Sequence, residues 1–420
     1  MRLPARPVPR PASRPASPAP SPAPAPQPPA PAPSAPAASR GPAARPRRRP
    51  APRASGRGAP QQEVSCTPLS PHNSAIPPPA PHPAKDHPRM KLATLKDGSR
   101  DGQLAVVSRD LASAHHATGI AGTLQQALDD WNFVAPQLED LYATLNGGKA
   151  RHAFAFEPRL CMAPLPRAHQ WLDASAYPSH IERIRRARGA EPPDDLRSLP
   201  LVYQGGSDDF LGPCDDAVFA NSDDGIDLEA EIAVVTGDLP MGASPDYALE
   251  GVRLLLLAND WSLRALAPAE VARGFGLLQA KPATAFAPVA VTPDELGPAW
   301  QGGRARLTVE CLRNGQRLGR LEAAPGMHFH FGQILAHAAR TRRLRAGCIV
   351  GGGAISSEDP AQGVACLAEL RALEIAAGGA ATTPFLQFGE TVRIEAIAPD
   401  GSSVFGAIEQ AVAELERDAA

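Results

Sequence analysis

Glu229 and Glu231 stand two residues apart in Gly225-Ile226-Asp227-Leu228-Glu229-Ala230-Glu231-Ile232-Ala233-Val234-Val235, where apolar and acidic residues alternate. A period of two is the pattern of a strand and puts both carboxylates on one face. Side by side at neutral pH they repel unless solvent or a cation separates their charges. Two readings follow: a divalent metal held by acid groups, or an edge strand with one wet face. Residues downstream bear on the choice. Leu254 to Ala258 reads as a buried strand that runs into Asn259-Asp260, and ending such a strand on a carboxylate is costly unless a cation or donors meet it. Lys281, set between apolar blocks, would offset part of the charge of Asp260, Glu229 and Glu231. His180 precedes a short helix, Ile181 to Arg188, whose Arg183, Arg185, Arg186 and Arg188 favour an anionic ligand. Against that, a lone histidine is more often an ordinary surface or core residue, and such a helix a solvated connection.

The elements that must position these groups lie in one part of the chain. Residues 1–89 carry 13 Lys+Arg against 2 Asp+Glu, leaving 29 against 42 for residues 90–420, so a basic tail precedes an acidic body. The tail also holds 28 of the 48 prolines and almost nothing to bury, which predicts disorder or polyproline conformation. It has no apolar core for a secretory signal and is too proline-rich for a transit peptide. Arg45 to Arg53 would touch phosphates, but no aromatic is interleaved to read bases, so no nucleic-acid partner is expected. The expectation is a segment without function, with translation starting at Met90.

The body, residues 90–420, is long enough for one large core and a small one. Its reading is an α+β, β-rich architecture. Residues 90–165 form a small N-terminal domain: strands at Leu92 to Leu95 and Gln103 to Ser108, then apolar residues at helical spacing from Leu124 to Leu145, closed by Gly147-Gly148. Ala163-Pro164-Leu165-Pro166 marks a boundary, and residues 166–420 carry the chemistry. There a strand ends at Tyr203 before a glycine turn. Val309 to Arg313, Asn314-Gly315 and Gln316 to Leu321 spell a hairpin. A helix is expected over 331–341, a strand from Leu344 into Gly351-Gly352-Gly353, and closing strands at Ala365 to Leu370 and Thr391 to Ile397. The three glycines form no complete phosphate loop. Six cysteines, Cys66, Cys161, Cys214, Cys311, Cys348 and Cys366, lie far apart with no Cys-x-x-Cys, which fits a reducing cytoplasm rather than a disulfide framework or zinc site. No apolar run approaches the roughly 20 residues of a bilayer span, so no membrane partner is expected.

Taken together, Asp173 with His180 seven residues on, Leu199-Pro200-x-x-Tyr203, Asp227-x-Glu229-x-Glu231, Asn259-Asp260-Trp261-Ser262-x-Arg264, Lys281 before Pro288 and the glycine turn ending Ile355-Ser356 form an ordered set that resembles the fumarylacetoacetases, over essentially residues 90–410. The resemblance implies a small N-terminal β domain on a fumarylacetoacetase-type mixed β-sandwich roll, and a homodimer. It implies metal ligands Asp173, Glu229, Glu231 and Asp260, oxygen donors suited to Mg²⁺, Ca²⁺ or Mn²⁺. It further implies His180 as general base oriented by Glu369, Lys281 as the cation that stabilises a developing enolate, and Tyr203 and Arg264 as groups that shape the pocket.

The implied activity is hydrolysis of a carbon–carbon bond in a small diketo acid, fumarylacetoacetate to fumarate and acetoacetate in tyrosine catabolism. The same scaffold also serves acylpyruvate hydrolysis, oxaloacetate decarboxylation and 2-oxo-alkenoate hydration, and a non-catalytic metal-binding interaction protein is a further reading. Retention of His180 and Lys281 favours the enzyme, and the Asp173 and His180 pair favours hydrolysis. Two positions depart from the family pattern. Ala354 stands where threonine usually precedes Ile-Ser, and Ser175 stands where an aromatic usually follows the first metal aspartate, with Tyr177 displaced by two. Both changes remove groups that bond a substrate carboxylate.

Overall fold

The computed structural model describes residues 89–416, so the expectations for the basic tail up to residue 88 lie outside the described residues. The architecture is α+β and β-rich. One long mixed sheet runs, in spatial order, through Phe154–Ala155, Ser113–His116, Gln103–Val107, Lys91–Leu95, Ala290–Val291, Val252–Asn259, Ala230–Thr236, Ile349–Gly351, Trp171–Ala174 and Val202–Gly205, with Ala285–Phe286 paired beside Val252–Asn259. A five-stranded sheet orders Gln316–Glu322, Thr308–Arg313, Thr391–Ile397, Ser403–Glu414 and Ala217–Phe219. The long sheet crosses the expected boundary near residue 165 without a break, because Lys91 and Leu92 pair with Val291 and Ala290.

The apolar run Leu254 to Ala258 is explained by burial on both faces. Leu255 and Leu257 belong to one buried cluster with Val309, Ile394 and Ile408 of the second sheet, while Leu254 and Leu256 belong to another with Leu124, Leu128 and Leu138 of the helices Leu124–Asp129 and Trp131–Asn146. The expected hairpin is present as Thr308–Arg313 and Gln316–Glu322. Its turn residues Asn314 and Gly315 both have positive φ, at 50° and 74°, which is why Asn-Gly stands there.

Four expectations are corrected. Gly225 to Val235 is not one strand: it breaks at Leu228-Glu229 into Ile226–Asp227 and Ala230–Thr236, and no face of it is wet, since every residue from Gly225 to Thr236 is buried. Residues 365–370 are not a strand but the start of the helix Leu367–Gly378, whose Ala, Leu, Glu and Arg content favours helix and whose end is set by Gly379 at φ 79°. Thr391–Ile397 does not close the chain. A twelve-residue strand, Ser403–Glu414, follows and pairs with it and with Ala217–Phe219. Of the expected strand from Leu344, only Ile349–Gly351 is extended in the sheet. No described helix is long and apolar enough to cross a membrane.

Candidate active site and metal centre

Three neighbouring strands bring the acidic residues together. Trp171–Ala174 carries Asp173 and runs parallel to Ile349–Gly351, with Asp173 opposite Gly351. Gly351 in turn faces Ala233 of the strand that carries Glu231. A Cβ on Gly351 would stand 2.5 Å from Asp173 Oδ1 and 2.8 Å from Glu231 Oε2, so the glycine is required for the two carboxylates to approach. Asp260 follows the end of Val252–Asn259, and its N–H donates to the Glu229 carbonyl at 2.9 Å.

Ligand atoms of Asp173, Glu231 and Asp260 lie within 4.8 Å of one another, all three residues buried. Asp173 Oδ1 and Glu231 Oε1 have no hydrogen-bond partner. Buried carboxylate oxygens without partners, crowded together, are stable only if protonated or neutralised by a cation. Burial first, then the Asp260 charge, pushes Asp173 up to about 8. Burial and the charges of Asp173 and Asp260 likewise push Glu231 well above its ordinary value. An all-oxygen donor set with unpaired atoms fits a hard divalent cation.

Glu229 lies outside that 4.8 Å group and is linked to its Asp260 through Lys281. Its carboxylate accepts from two cations and a hydroxyl: Lys281 Nζ and Ser262 Oγ, the latter at 3.2 Å, donate to Oε2, and Arg264 donates to Oε1 at 2.9 Å. Burial alone would raise Glu229, but the Arg264 and Lys281 charges outweigh it and hold the carboxyl well below the usual range. Lys281 also reaches Asp260 Oδ2 at 2.5 Å. Burial pulls Lys281 down, yet Asp260 and Glu229 more than compensate and hold it well above its ordinary value, so it stays an ammonium ion. Tyr203 donates to Asp260 Oδ2 at 2.5 Å, and Thr284 donates to Oδ1 at 2.7 Å.

His180 sits in the first turn of the helix Pro178–Ala187, which starts three residues earlier than its isoleucine spacing indicated because Pro178 occupies the first helical position. Its Nδ1 is 2.9 Å from Glu369 Oε2. The other oxygen of Glu369 accepts from Ser356 at 2.7 Å and Arg183 at 2.5 Å. Despite full burial, those bonds together with His180 hold Glu369 below its ordinary value. An ionised Glu369 draws the Nδ1 proton, which leaves Nε2 with a free lone pair. Nε2 faces Glu229 Oε1 at 3.6 Å, beyond hydrogen-bond range.

Glu369 is placed by a residue to which the sequence reading assigned no role. Asp227 accepts from the Leu367 and Ala368 N–H groups at 2.6 and 2.9 Å, capping the helix two residues before Glu369, and Arg264 donates to the same carboxylate at 2.8 Å. Asp227 is wholly buried. A signal existed in its place in the Asp-x-Glu-x-Glu run, but the N–H groups it caps lie 140 and 141 residues away. Arg264, expected to shape the pocket, is committed to Asp227 and Glu229 beneath the site. Tyr177, expected near substrate, is 3% exposed and spends its hydroxyl on the Ala323 carbonyl at 2.7 Å, a position fixed by core packing. Ala354 is buried and Ser175 half-buried, each in a segment adjoining the cluster, with the Gly353 N–H donating to Glu231 Oε2 at 3.2 Å.

A proton-linked result follows for the metal centre. Without metal, the folded chain retains protons on Asp173 and Glu231 that the unfolded chain releases, so melting temperature falls as pH rises from about 4 towards about 8. Glu229 and Glu369, held low, act in the opposite sense, as pH falls through the ordinary carboxylate range and below it. Millimolar Mg²⁺ or Mn²⁺ is expected to raise the melting temperature, most at the alkaline end, and Glu231→Ala to abolish the increment. Thermal unfolding from pH 5 to 8 measures it, and no metal response at pH 8 would count against the centre.

Comparison with known proteins gives two family matches: Fumarylacetoacetase N-terminal domain 2 over residues 90–167, and Fumarylacetoacetate (FAA) hydrolase C-terminal over residues 170–413. No curated protein matches the chain. Solved structures of similar fold include fumarylacetoacetate hydrolase from psychrophilic Exiguobacterium antarcticum, 17% identical with TM-score 0.53. Another is maleylpyruvate hydrolase from Sphingobium sp. SYK-6 in complex with manganese(II) ion and pyruvate, 14% identical with TM-score 0.52. A third is a probable 2-hydroxyhepta-2,4-diene-1,7-dioate isomerase from Mycobacterium abscessus, 18% identical with TM-score 0.52. Each alignment covers 78% of this chain and 100% of the other.

Proposed function

The chain belongs to the fumarylacetoacetate hydrolase family, and from that premise we propose that it is a divalent-metal-dependent hydrolase that cleaves a carbon–carbon bond in a diketo acid, with fumarylacetoacetate as substrate. The observation that carries the reading is the His180–Glu369 pair set against the acidic cluster. Hydrolases and isomerases share this fold, and what separates hydrolysis from a double-bond shift is a group that activates water.

Each residue has a part in that chemistry. His180 Nε2, its lone pair free, takes a proton from water, and Glu369 stabilises the imidazolium that results. The oxygen of that water bonds to the substrate carbonyl carbon, the carbon–carbon bond breaks, and the electron pair departs on the leaving fragment as an enolate, which is then protonated. Lys281, held cationic, stabilises that negative charge and cannot itself serve as base. Asp173, Glu231 and Asp260 would hold a divalent cation, with Glu229 beside them, and that ion would polarise the two oxygens of a diketo acid.

The assay is release of fumarate from fumarylacetoacetate, beside acylpyruvates, with and without Mg²⁺. Reaction in ¹⁸O-labelled water should place label in a product carboxylate, and turnover without label would assign an isomerase instead. Ala354 bears on substrate identity. A hydroxyl donated to a carboxylate contributes about 1.5–3 kcal/mol, so Ala354→Thr is expected to lower KM for fumarylacetoacetate by roughly tenfold or more and to leave acetylpyruvate nearly unchanged. Equal effects on both substrates would show that position 354 does not meet the distal carboxylate.

A further inference from the structure

Behind His180, on the side away from the carboxylate cluster, lies a second donor set of a different kind. His180, Cys366 and Glu369 offer ligand atoms within 4.8 Å of one another, and all three residues are buried. Cys366 Sγ is 4.0 Å from His180 Nδ1, and Glu369 Oε2 is 2.9 Å from the same nitrogen. We propose that these three side chains form a site for a soft divalent cation, zinc or cadmium, whose occupation switches off the His180 base.

The donor chemistry separates this site from the first. Asp173, Glu231 and Asp260 supply only oxygen and suit Mg²⁺ or Mn²⁺, whereas thiolate and imidazole prefer zinc. Tetrahedral zinc with Zn–S of about 2.3 Å and Zn–N of about 2.0 Å places sulfur and nitrogen roughly 3.5 Å apart, and two first-row donors at 2.0 Å about 3.3 Å apart. The pair at 4.0 Å must therefore close slightly and the pair at 2.9 Å open slightly, both within the reach of side-chain rotation. Cys366 is unsuited to act as a nucleophile: burial, with Asp227 and Glu229 near, pushes its thiol well above the ordinary value. It remains a thiol until a cation displaces its proton, and that proton is released to solvent on binding.

Loss of activity follows from the tautomer. The working base has its proton on Nδ1, given to Glu369, and its lone pair on Nε2. A cation on Nδ1 displaces that proton, the neutral ring carries its one proton on Nε2 instead, and no acceptor faces the water. Glu369, drawn to the cation, no longer orients the ring.

The inhibitory part of this inference rests on the role given to His180 above, while the binding part does not, so two measurements are made on the full chain saturated with Mg²⁺. Co²⁺ serves as the spectroscopic probe and is expected to give a thiolate-to-cobalt charge-transfer band that Cys366→Ser abolishes. Serine is a favoured residue at the N-cap position that Cys366 occupies, so the variant is expected to fold and to keep basal turnover. For inhibition, one equivalent of Zn²⁺ is expected to lower wild-type turnover, a chelator to restore it, and Cys366→Ser to need at least about tenfold more zinc for the same loss. A cobalt band that is absent from the wild type, or unchanged by Cys366→Ser, overturns the site. Equal zinc sensitivity of the two proteins overturns the switch. If the chain proves inactive on diketo acids, the proposed function fails and the cobalt band still decides the site.

Discussion

His180→Ala is expected to lower kcat by roughly 10²- to 10⁴-fold while the metal-induced rise in melting temperature persists. The reason lies in how the ring is held. Glu369 is wholly buried and is itself fixed by Ser356 and Arg183, so the imidazole is aimed by a carboxylate with no freedom to turn away. Removing the ring takes away an unengaged ring nitrogen 3.6 Å from Glu229 Oε1, while Lys281 is held as a cation and Glu229 is occupied by Lys281, Arg264 and Ser262. The donor group of Asp173, Glu231 and Asp260 does not include His180, and so its response to Mg²⁺ or Mn²⁺ should survive. The check is steady-state kinetics and thermal unfolding on the same preparation. Loss of the metal response together with activity would make His180 a ligand and sink its assignment as base.

Asp227→Ala should destabilise the fold by about 3–5 kcal/mol, the usual scale for leaving a buried charge without its partner. Three bonds end on this carboxylate: two backbone N–H groups at the start of the helix Leu367–Gly378 and the Arg264 guanidinium. Without it, Arg264 keeps only Glu229, and the helix that carries Glu369 loses its capping acceptor. Activity should fall as well, because Glu369 is the residue next after the last capped N–H. Asp227→Asn should recover part of the capping and little of the ion pair, placing it between the two. Denaturant unfolding measures both variants, and a loss below about 1 kcal/mol for Asp227→Ala would mean that the carboxylate is not what fastens the helix to the site.

Local patterns were legible where burial and turn chemistry agree with the neighbours in sequence. The apolar run ending at Asn259-Asp260 is a strand buried on both faces, and Asn314-Gly315 is a hairpin turn with the positive φ values that only such residues adopt readily. The lysine at 281 stands out between apolar blocks, and it meets two of the carboxylates it was expected to offset, Glu229 and Asp260. Those inferences rest on period and charge, which are properties of a short window.

What a window does not contain was decided by tertiary structure. Residues 365–370 look extended because apolar residues recur at short intervals, yet they become helix when Asp227 caps the Leu367 and Ala368 N–H groups from 140 residues away. Ser403–Glu414 mixes Val404, Phe405, Ile408 and Val412 with a glycine and three alanines, a weak strand pattern, and it is a strand because Thr391–Ile397 and Ala217–Phe219 pair with it. Glu229 belongs by its spacing with Glu231, but Lys281 and Arg264 reach it from separate elements and set it apart from the carboxylates that remain unpaired. The sequence by itself determined which residues carry charge and which strands are buried. Only the packed structure decided which carboxylate oxygens are left without a partner and which are held by ion pairs, because that depends on distances between groups that the chain brings together from afar.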